Sequence, residues 1–452
     1  MATDPECAQL IASGEITTGA WVDHTVHVDV TGLAAETVYF YRFRLLSGEL
    51  AGAVSPTGRT WTAPAPDTSS TALNMVVASC ANWESGYFSA YRDIAARAQA
   101  GEVDIVVFLG DYIYEYGRGE YVGKRGAVRN HEPAGELISL SDYRTRYGTY
   151  RTDPDLKAAH AACPWVVTWD DHEIANNAWR EGAENHTEGA EGRWVDRRDA
   201  ALQAYFEWLP VRAESPSAGG HIYRRLKFGD LVDLTMMDLR TYRDEEQSFA
   251  EWWAGDLNET MMGSEQFEWL SAAVRDSAAR WLVLGNSVMF SPMTLLGLKK
   301  NPDTSSIADF LAGRTSEGMP LNGDQWDGYA TERDRLLSVL SQVAPHVLFV
   351  TGDIHSEWAH AVNYRGEEVG AELVCSSITA PNVDEQLLLP ADNALSHLAE
   401  HVLRQENPHI RHVDLDVHGY ALAQITPDYV EVSWLRVADL KPPTPRSRRR
   451  SG

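Results

Sequence analysis

Four stretches each end an apolar run in side chains that bind cations or move protons. Leu73-Asn-Met-Val-Val-Ala-Ser-Cys80 closes on a thiol. Ile105-Val-Val-Phe-Leu-Gly110-Asp111-Tyr-Ile-Tyr114 places a carboxylate after a glycine and a phenol three residues on. Val166-Val-Thr-Trp-Asp170-Asp171-His172-Glu173 sets four ionisable groups in a row, which are expensive to bury unless they pair or coordinate something. Val347-Leu-Phe-Val-Thr-Gly352-Asp353-Ile-His355 ends in an alternating D-x-H, a spacing that aims two ligands the same way from an extended chain. A carboxylate such as Asp111 can bridge two cations about 3.5–4 Å apart. Tyr114 reaches the same point if the segment turns helically. Each stretch alone has a plainer reading: Cys80 as a small buried hydrophobe, Asp111 as a helix cap, Tyr114 as core, 353–355 as a solvated loop. Together they make a metal centre the economical reading.

The elements that must carry these groups follow from the hydrophobic pattern. Apolar β-type runs at Leu73–Ser79, Asp104–Leu109, Trp165–Trp169, Leu231–Met237, Trp281–Leu284 and Val347–Thr351 alternate with helical stretches near 86–100, 195–208, 264–278 and 331–342. Buried strands alternating with helices predict a layered α/β domain. Ligand sites in such sheets collect at the carboxyl ends of strands, where all four chemical stretches lie. The first 66 residues read differently. His24, Val26, Val28 and Val30 share one parity and Val38-Tyr-Phe-Tyr-Arg-Phe-Arg44 is rich in β formers. Pro64, Pro66 and Asp67-Thr-Ser-Ser70 read as a linker. The expected division is a small β-rich domain over 1–66, a catalytic domain over 67–440 and a basic tail over 441–452 around Arg446-Ser-Arg-Arg-Arg450.

Composition narrows the function. The 452 residues carry a formal net charge of −26, which repels nucleic acid and anionic membranes at long range. It leaves phosphoester chemistry open, because bound metal ions can hold a local site positive. Cys7, Cys80, Cys163 and Cys375 show no C-x-x-C pair, so neither a zinc ribbon nor a disulfide lattice is expected. No apolar run reaches the length of a membrane span, and Met1-Ala-Thr-Asp-Pro-Glu6 does not open a signal peptide.

In their order the four motifs resemble those of the calcineurin-like metallophosphatases, and most closely the PhoD-like alkaline phosphatase branch: Ser79-Cys80, Gly110-Asp-Tyr-Ile-Tyr114, Trp169-Asp-Asp-His-Glu173 and Gly352-Asp-Ile-His355. Asp238-Leu-Arg-Thr-Tyr-Arg243, Leu284-Gly-Asn-Ser-Val-Met289 and Asp23-His-Thr-Val-His-Val-Asp-Val-Thr-Gly-Leu33 are also similar to that family. The likeness covers nearly the whole chain and is weakest at 175–225 and 290–330. It implies a metallophosphatase sandwich of two mixed sheets flanked by helices, preceded by a partial Ig-like or fibronectin-like β-sandwich in which the chain begins. It also implies an exported, extracytoplasmic protein.

By that resemblance Cys80, Asp111, Tyr114 and His355 would hold Fe³⁺, and Asp111 would bridge to Ca²⁺. Asp171 and Asp353 would serve as further ligands, with Asn286 as an additional candidate. Anionic thiolate and phenolate suit a ferric ion, and an oxygen-rich second site suits Ca²⁺; Mn²⁺, Zn²⁺ and Mg²⁺ are the alternatives. His172 resembles the family's catalytic histidine. Arg240 or Arg243 would clamp a phosphoryl oxygen, although ordinary ion pairs suit these arginines equally. Trp83, Tyr112 and Trp179 border the motifs and read as packing residues. The implied reaction is hydrolysis of phosphate esters, small molecules or phospholipids, by metal-activated water without a phosphoenzyme. Loops 115–140 and 290–325 would set the choice between monoesters and diesters, a phospholipase D-type activity included. A metal-binding module without catalysis is the rival class, against which every motif position retains a competent side chain.

Overall fold

Strand pleating sends alternate residues of each apolar run to opposite faces, and this divides the core of the protein into layers. The computed structural model describes residues 1–66, 68–213, 219–246, 259–293, 322–438 and 440. A five-stranded mixed sheet holds β3 (Leu73–Ala78), β4 (Ile105–Leu109) and β5 (Trp165–Thr168) in parallel, with β13 (Gly419–Ile425) and β14 (Val430–Arg436) added antiparallel beside β3. A seven-stranded mixed sheet runs in the order β12 (Ile410–Asp414), β10 (Glu357–Tyr364), β11 (Glu367–Val374), β9 (His346–Thr351), β8 (Trp281–Asn286), β7 (Val232–Met236), β6 (Arg224–Phe228). Its β11, β9, β8 and β7 are parallel.

Leu73, Met75 and Val77, with Ile105, Val107 and Leu109, pack between the sheets against Leu234, Met236, Val283, Leu348 and Val350. The intervening Val76, Ala78, Val106, Phe108 and Val167 face outward. There they meet α1 (Ser89–Ala100), α2 (Leu140–Tyr150), α3 (Pro154–Ala162) and α4 (Trp194–Trp208). On the far face, Leu282, Leu284, Val347 and Phe349 meet α5 (Gly263–Arg275) and α6 (Ala330–Leu340). A short α7 (Val383–Gln386) and α8 (Ala394–Glu406) follow. The two mixed sheets flanked by helices that were expected are therefore the architecture, and the four expected helices are α1, α4, α5 and α6. Helices α2 and α3 were not expected; a capping box between Ser139 and Asp142 starts one, and Asp153 with Pro154 starts the other.

The expected β-sandwich over 1–66 does not form among the described residues. There β1 (Val38–Tyr41) and β2 (Gly58–Trp61) pair antiparallel, joined by isolated bridges such as Ala2 to Phe40 and Arg44 to Val54. His24, Val26, Val28 and Val30 share parity without forming a strand. Side chains tie this stretch to the end of α4 in place of a ladder: His27 Nε2 lies 3.1 Å from Glu207 O, Trp208 Nε1 donates to Asp23 at 3.0 Å, and Arg212 pairs with Asp29 at 2.8 Å. The basic tail, 441–452, and most of the 290–325 loop lie outside the described residues.

Candidate metal centre

All four motifs leave their strands at the same edge of the sandwich. β3 delivers Cys80, β4 delivers Asp111 and Tyr114, β5 delivers Asp171 and His172, and β9 delivers Asp353 and His355. The turns are tight. Cys80, Asp111, Asp353 and His355 all have φ between 55° and 64°, a left-handed conformation that non-glycine residues adopt rarely and that clusters at functional sites. Two glycines make room for it. A Cβ on Gly110, at φ +99°, would stand 2.4 Å from the Asp170 backbone nitrogen, and one on Gly352 would stand 2.9 Å from Ser79 Cβ.

Two groups of donors converge. Cys80, Asp111 and His355 bring ligand atoms within 4.8 Å of one another, as do Asp111, Asp171 and His172. Asp111 belongs to both. Tyr114 joins the first group: its hydroxyl donates to Asp111 Oδ2 at 2.9 Å and lies 3.2 Å from His355 Nε2. His355 Nδ1 lies 2.9 Å from the Pro381 carbonyl, which accepts only, so Nδ1 carries the hydrogen and Nε2 presents a lone pair to the group. Burial lowers His355 to about 4 and keeps the ring neutral.

The donors suit a cation. Asp111 Oδ1 and Asp171 Oδ1 are buried and have no hydrogen-bond partner, an expensive state for a carboxylate. Burial raises Asp111 well above the carboxylate range, and Asp171 and Asp170 add to it. Burial likewise raises the Cys80 thiol and the Tyr114 phenol, and the Asp111 charge pushes each further up. Asp353, half-buried, is raised by burial and by Asp170 and Asp324. Acids packed this closely stay ionised when positive charge sits among them.

Glu115 orients His172. One carboxylate oxygen lies 2.8 Å from His172 Nδ1, and the other accepts from Asn176 N at 2.7 Å and Asn185 Nδ2 at 2.9 Å. Burial works against a proton on His172, but Asp171, Glu115 and Asp111 outweigh it and raise the imidazole well above its usual value. Glu173 secures the neighbouring turn. Its carboxylate takes the backbone N–H groups of Asp111 (3.0 Å), Tyr112 (2.6 Å) and Asp170 (2.9 Å).

Arg240 and Arg243 are fully buried and committed to acids. Arg240 donates to Asp170 at 2.5 Å and to Asp324 at 2.8 Å, and Arg243 donates to Asp324 at 2.5 Å. Arg240 Nη2, 3.6 Å from Asp171 Oδ1, has no hydrogen-bond partner. Asn286, at the end of β8, spends its amide on the carbonyl of Val288 and on Thr351 and accepts from Trp326 Nε1 at 2.9 Å. Trp83 and Tyr112 lie in the helix-side core and Trp179 is half-buried beside Gly182, as packing residues do. Glu115, Glu173 and Asp324 received no individual role from the sequence, although Glu173 closes the third motif and Glu115 directly follows the second.

The model of the PhoD-like phosphatase family matches residues 75–434, and that of the family's N-terminal domain matches 1–64. Alkaline phosphatase D of Bacillus subtilis strain 168 is 35% identical over 440 residues, covering 94% of this chain and 69% of that protein. A solved structure of PhoD superimposes with a TM-score of 0.83 at 32% identity, covering 98% of this chain and 80% of that one. A purple acid phosphatase from yellow lupin (Lupinus luteus) seeds gives a TM-score of 0.51 at 12% identity, over 90% of this chain and 58% of that one, a likeness of fold alone. With its motifs gathered at one end of the two-sheet sandwich and its length matched by the family's models, the chain belongs to the PhoD-like phosphatases.

Proposed function

We propose that this phosphatase hydrolyses small phosphate esters at two adjacent cation sites that share Asp111. The carrying observation is the double membership of Asp111 in both donor groups. In this reading Cys80, Asp111, Tyr114 and His355 would hold Fe³⁺, a set rich in anionic donors. Asp111 and Asp171 would hold Ca²⁺, with Asp353 at the margin. Asn286, its amide engaged at the end of β8, fits bracing the strand end better than coordination. When bound, the ions supply a water of lowered pKa and positive charge opposite the phosphoryl group. The protein's own contribution is orientation and proton placement. Glu115 fixes His172 through Nδ1, which leaves Nε2 to donate to the leaving oxygen. Arg240 serves by steadying Asp170 and Asp171. Family likeness supports work outside the cytoplasm; among the described residues no helix is long and apolar enough to cross a membrane.

The test is elemental analysis and phosphate release on protein purified without chelators, for the wild type and Asp111→Ala. The wild type should contain iron, show a visible tyrosinate or thiolate absorption band and release phosphate; the variant should lose the band and the turnover. Active wild-type protein without iron would remove the metal assignment, and near-normal turnover in the variant would remove the shared ligand. Parallel rates on a monoester, a diester and phosphatidylcholine rank the substrate classes.

A further inference from the structure

His172 is ringed by three phenols. The Tyr114 ring lies 4.3 Å from it, Tyr116 5.5 Å and Tyr121 6.0 Å. Tyr114 is fully buried, with its hydroxyl on Asp111 and His355. Tyr116 and Tyr121 are only half-buried, and their rings stack on each other at 5.1 Å and 28°. Their backbone is held firmly. Arg146, fully buried, donates to Tyr116 O at 3.0 Å, and Asn82, fully buried, donates to Tyr121 O at 3.0 Å. Between them Gly119 N donates to the buried Glu84 at 2.7 Å. Aromatic rings with accessible surface and a backbone fixed from beneath form a preorganised contact face.

We infer that Tyr116 and Tyr121 form the leaving-group subsite, so that esters whose alcohol carries a flat ring are preferred over equally bulky saturated ones. The inference rests on the phosphatase reading with His172 as proton donor: the oxygen that His172 protonates belongs to the leaving group, and the surface next to that imidazole is these two rings. Ring-on-ring contacts of this kind are worth about 2- to 12-fold.

The experiment compares kcat/KM for benzyl phosphate and cyclohexylmethyl phosphate, whose alcohols are closely matched in size and acidity. The metal-loaded wild type should favour the benzyl ester by about 2- to 12-fold. The double variant Tyr116→Leu/Tyr121→Leu should bring that ratio to about 1, and Tyr116→Phe/Tyr121→Phe should keep it, which separates the ring face from the hydroxyls. If the leucine protein does not fold, Tyr116→Met/Tyr121→Met, with flexible side chains that refill the space, provides the same readout. Equal rates on the two esters in the wild type, or a preference that survives loss of both rings, would overturn the subsite. Absence of turnover on both esters would overturn the phosphatase reading and the subsite with it.

Discussion

Replacing Glu115 with glutamine should do more than remove a charge, because the surroundings dictate how the amide lies. One carboxylate oxygen accepts from two donors, Asn176 N and Asn185 Nδ2, so the amide oxygen must occupy that side. The NH₂ group then faces His172 Nδ1 and forces that nitrogen to accept, which moves the ring's hydrogen to Nε2 and leaves the neutral tautomer in place of an imidazolium. Proton delivery of this type contributes about 10²- to 10⁴-fold. For an alkyl ester, whose leaving oxygen needs the proton, we expect kcat/KM to fall about 100- to 1000-fold, or about 3–4 kcal/mol. An activated aryl ester, which leaves without one, should lose far less. The sign of the pH effect is fixed: a carboxylate beside His172 raises its affinity for the proton, so the descending alkaline limb of the rate should move to lower pH in the variant. The assay is kcat/KM against pH on both esters, with metal content confirmed equal. A loss below about threefold on the alkyl ester, or equal losses on both esters, would refute the role given to Glu115.

Two further outcomes concern stability. Glu173→Ala orphans three backbone N–H groups near the site; at about 1–3 kcal/mol each it should cost at least about 3 kcal/mol in urea unfolding, and a loss under about 1 kcal/mol would contradict the clamp. His131 is held to about 2 by burial and the nearby Arg146 guanidinium, so the folded protein keeps it neutral while the unfolded chain protonates it near 6.5. Its contribution is complete above that value and is lost as pH falls, by about 2 kcal/mol between pH 7.5 and 5. His131→Gln should flatten that part of the stability–pH curve, and an unchanged slope would disprove the assignment.

The candidate metal ligands are legible in the sequence because each ends a buried strand, where period-two apolar patterning gives way abruptly to ionisable residues. Cys80, Asp111, Asp171 and His355 stand out for that reason. Glu115 does not: it sits between two tyrosines in an irregular loop, and its partner lies 57 residues away. Asp324, far along the chain, gains meaning only from two buried guanidiniums that reach it across the fold. The first 66 residues show the opposite failure. Parity at 24–30 satisfies a strand pattern, yet a strand exists only where a neighbour supplies the ladder. Likewise the arginines of the 238–243 motif are recognisable as a cluster, but whether they meet phosphate or carboxylate is a tertiary outcome.

The donors around Asp111 come from both layers of the sandwich: Cys80, Asp111 and Asp171 follow strands of one sheet, and Asp353 and His355 follow β9 of the other. An ion gripped by both sets would be a further brace between halves that also meet through side-chain packing and through bonds such as the Arg436–Glu357 pair. Its strength scales with supply, about 2.7 kcal/mol at a hundredfold excess of free ion over the dissociation constant. Starvation for metal would then loosen the whole body of the enzyme as well as idle it, so that resistance to unfolding doubles as a gauge of ion availability in the surroundings.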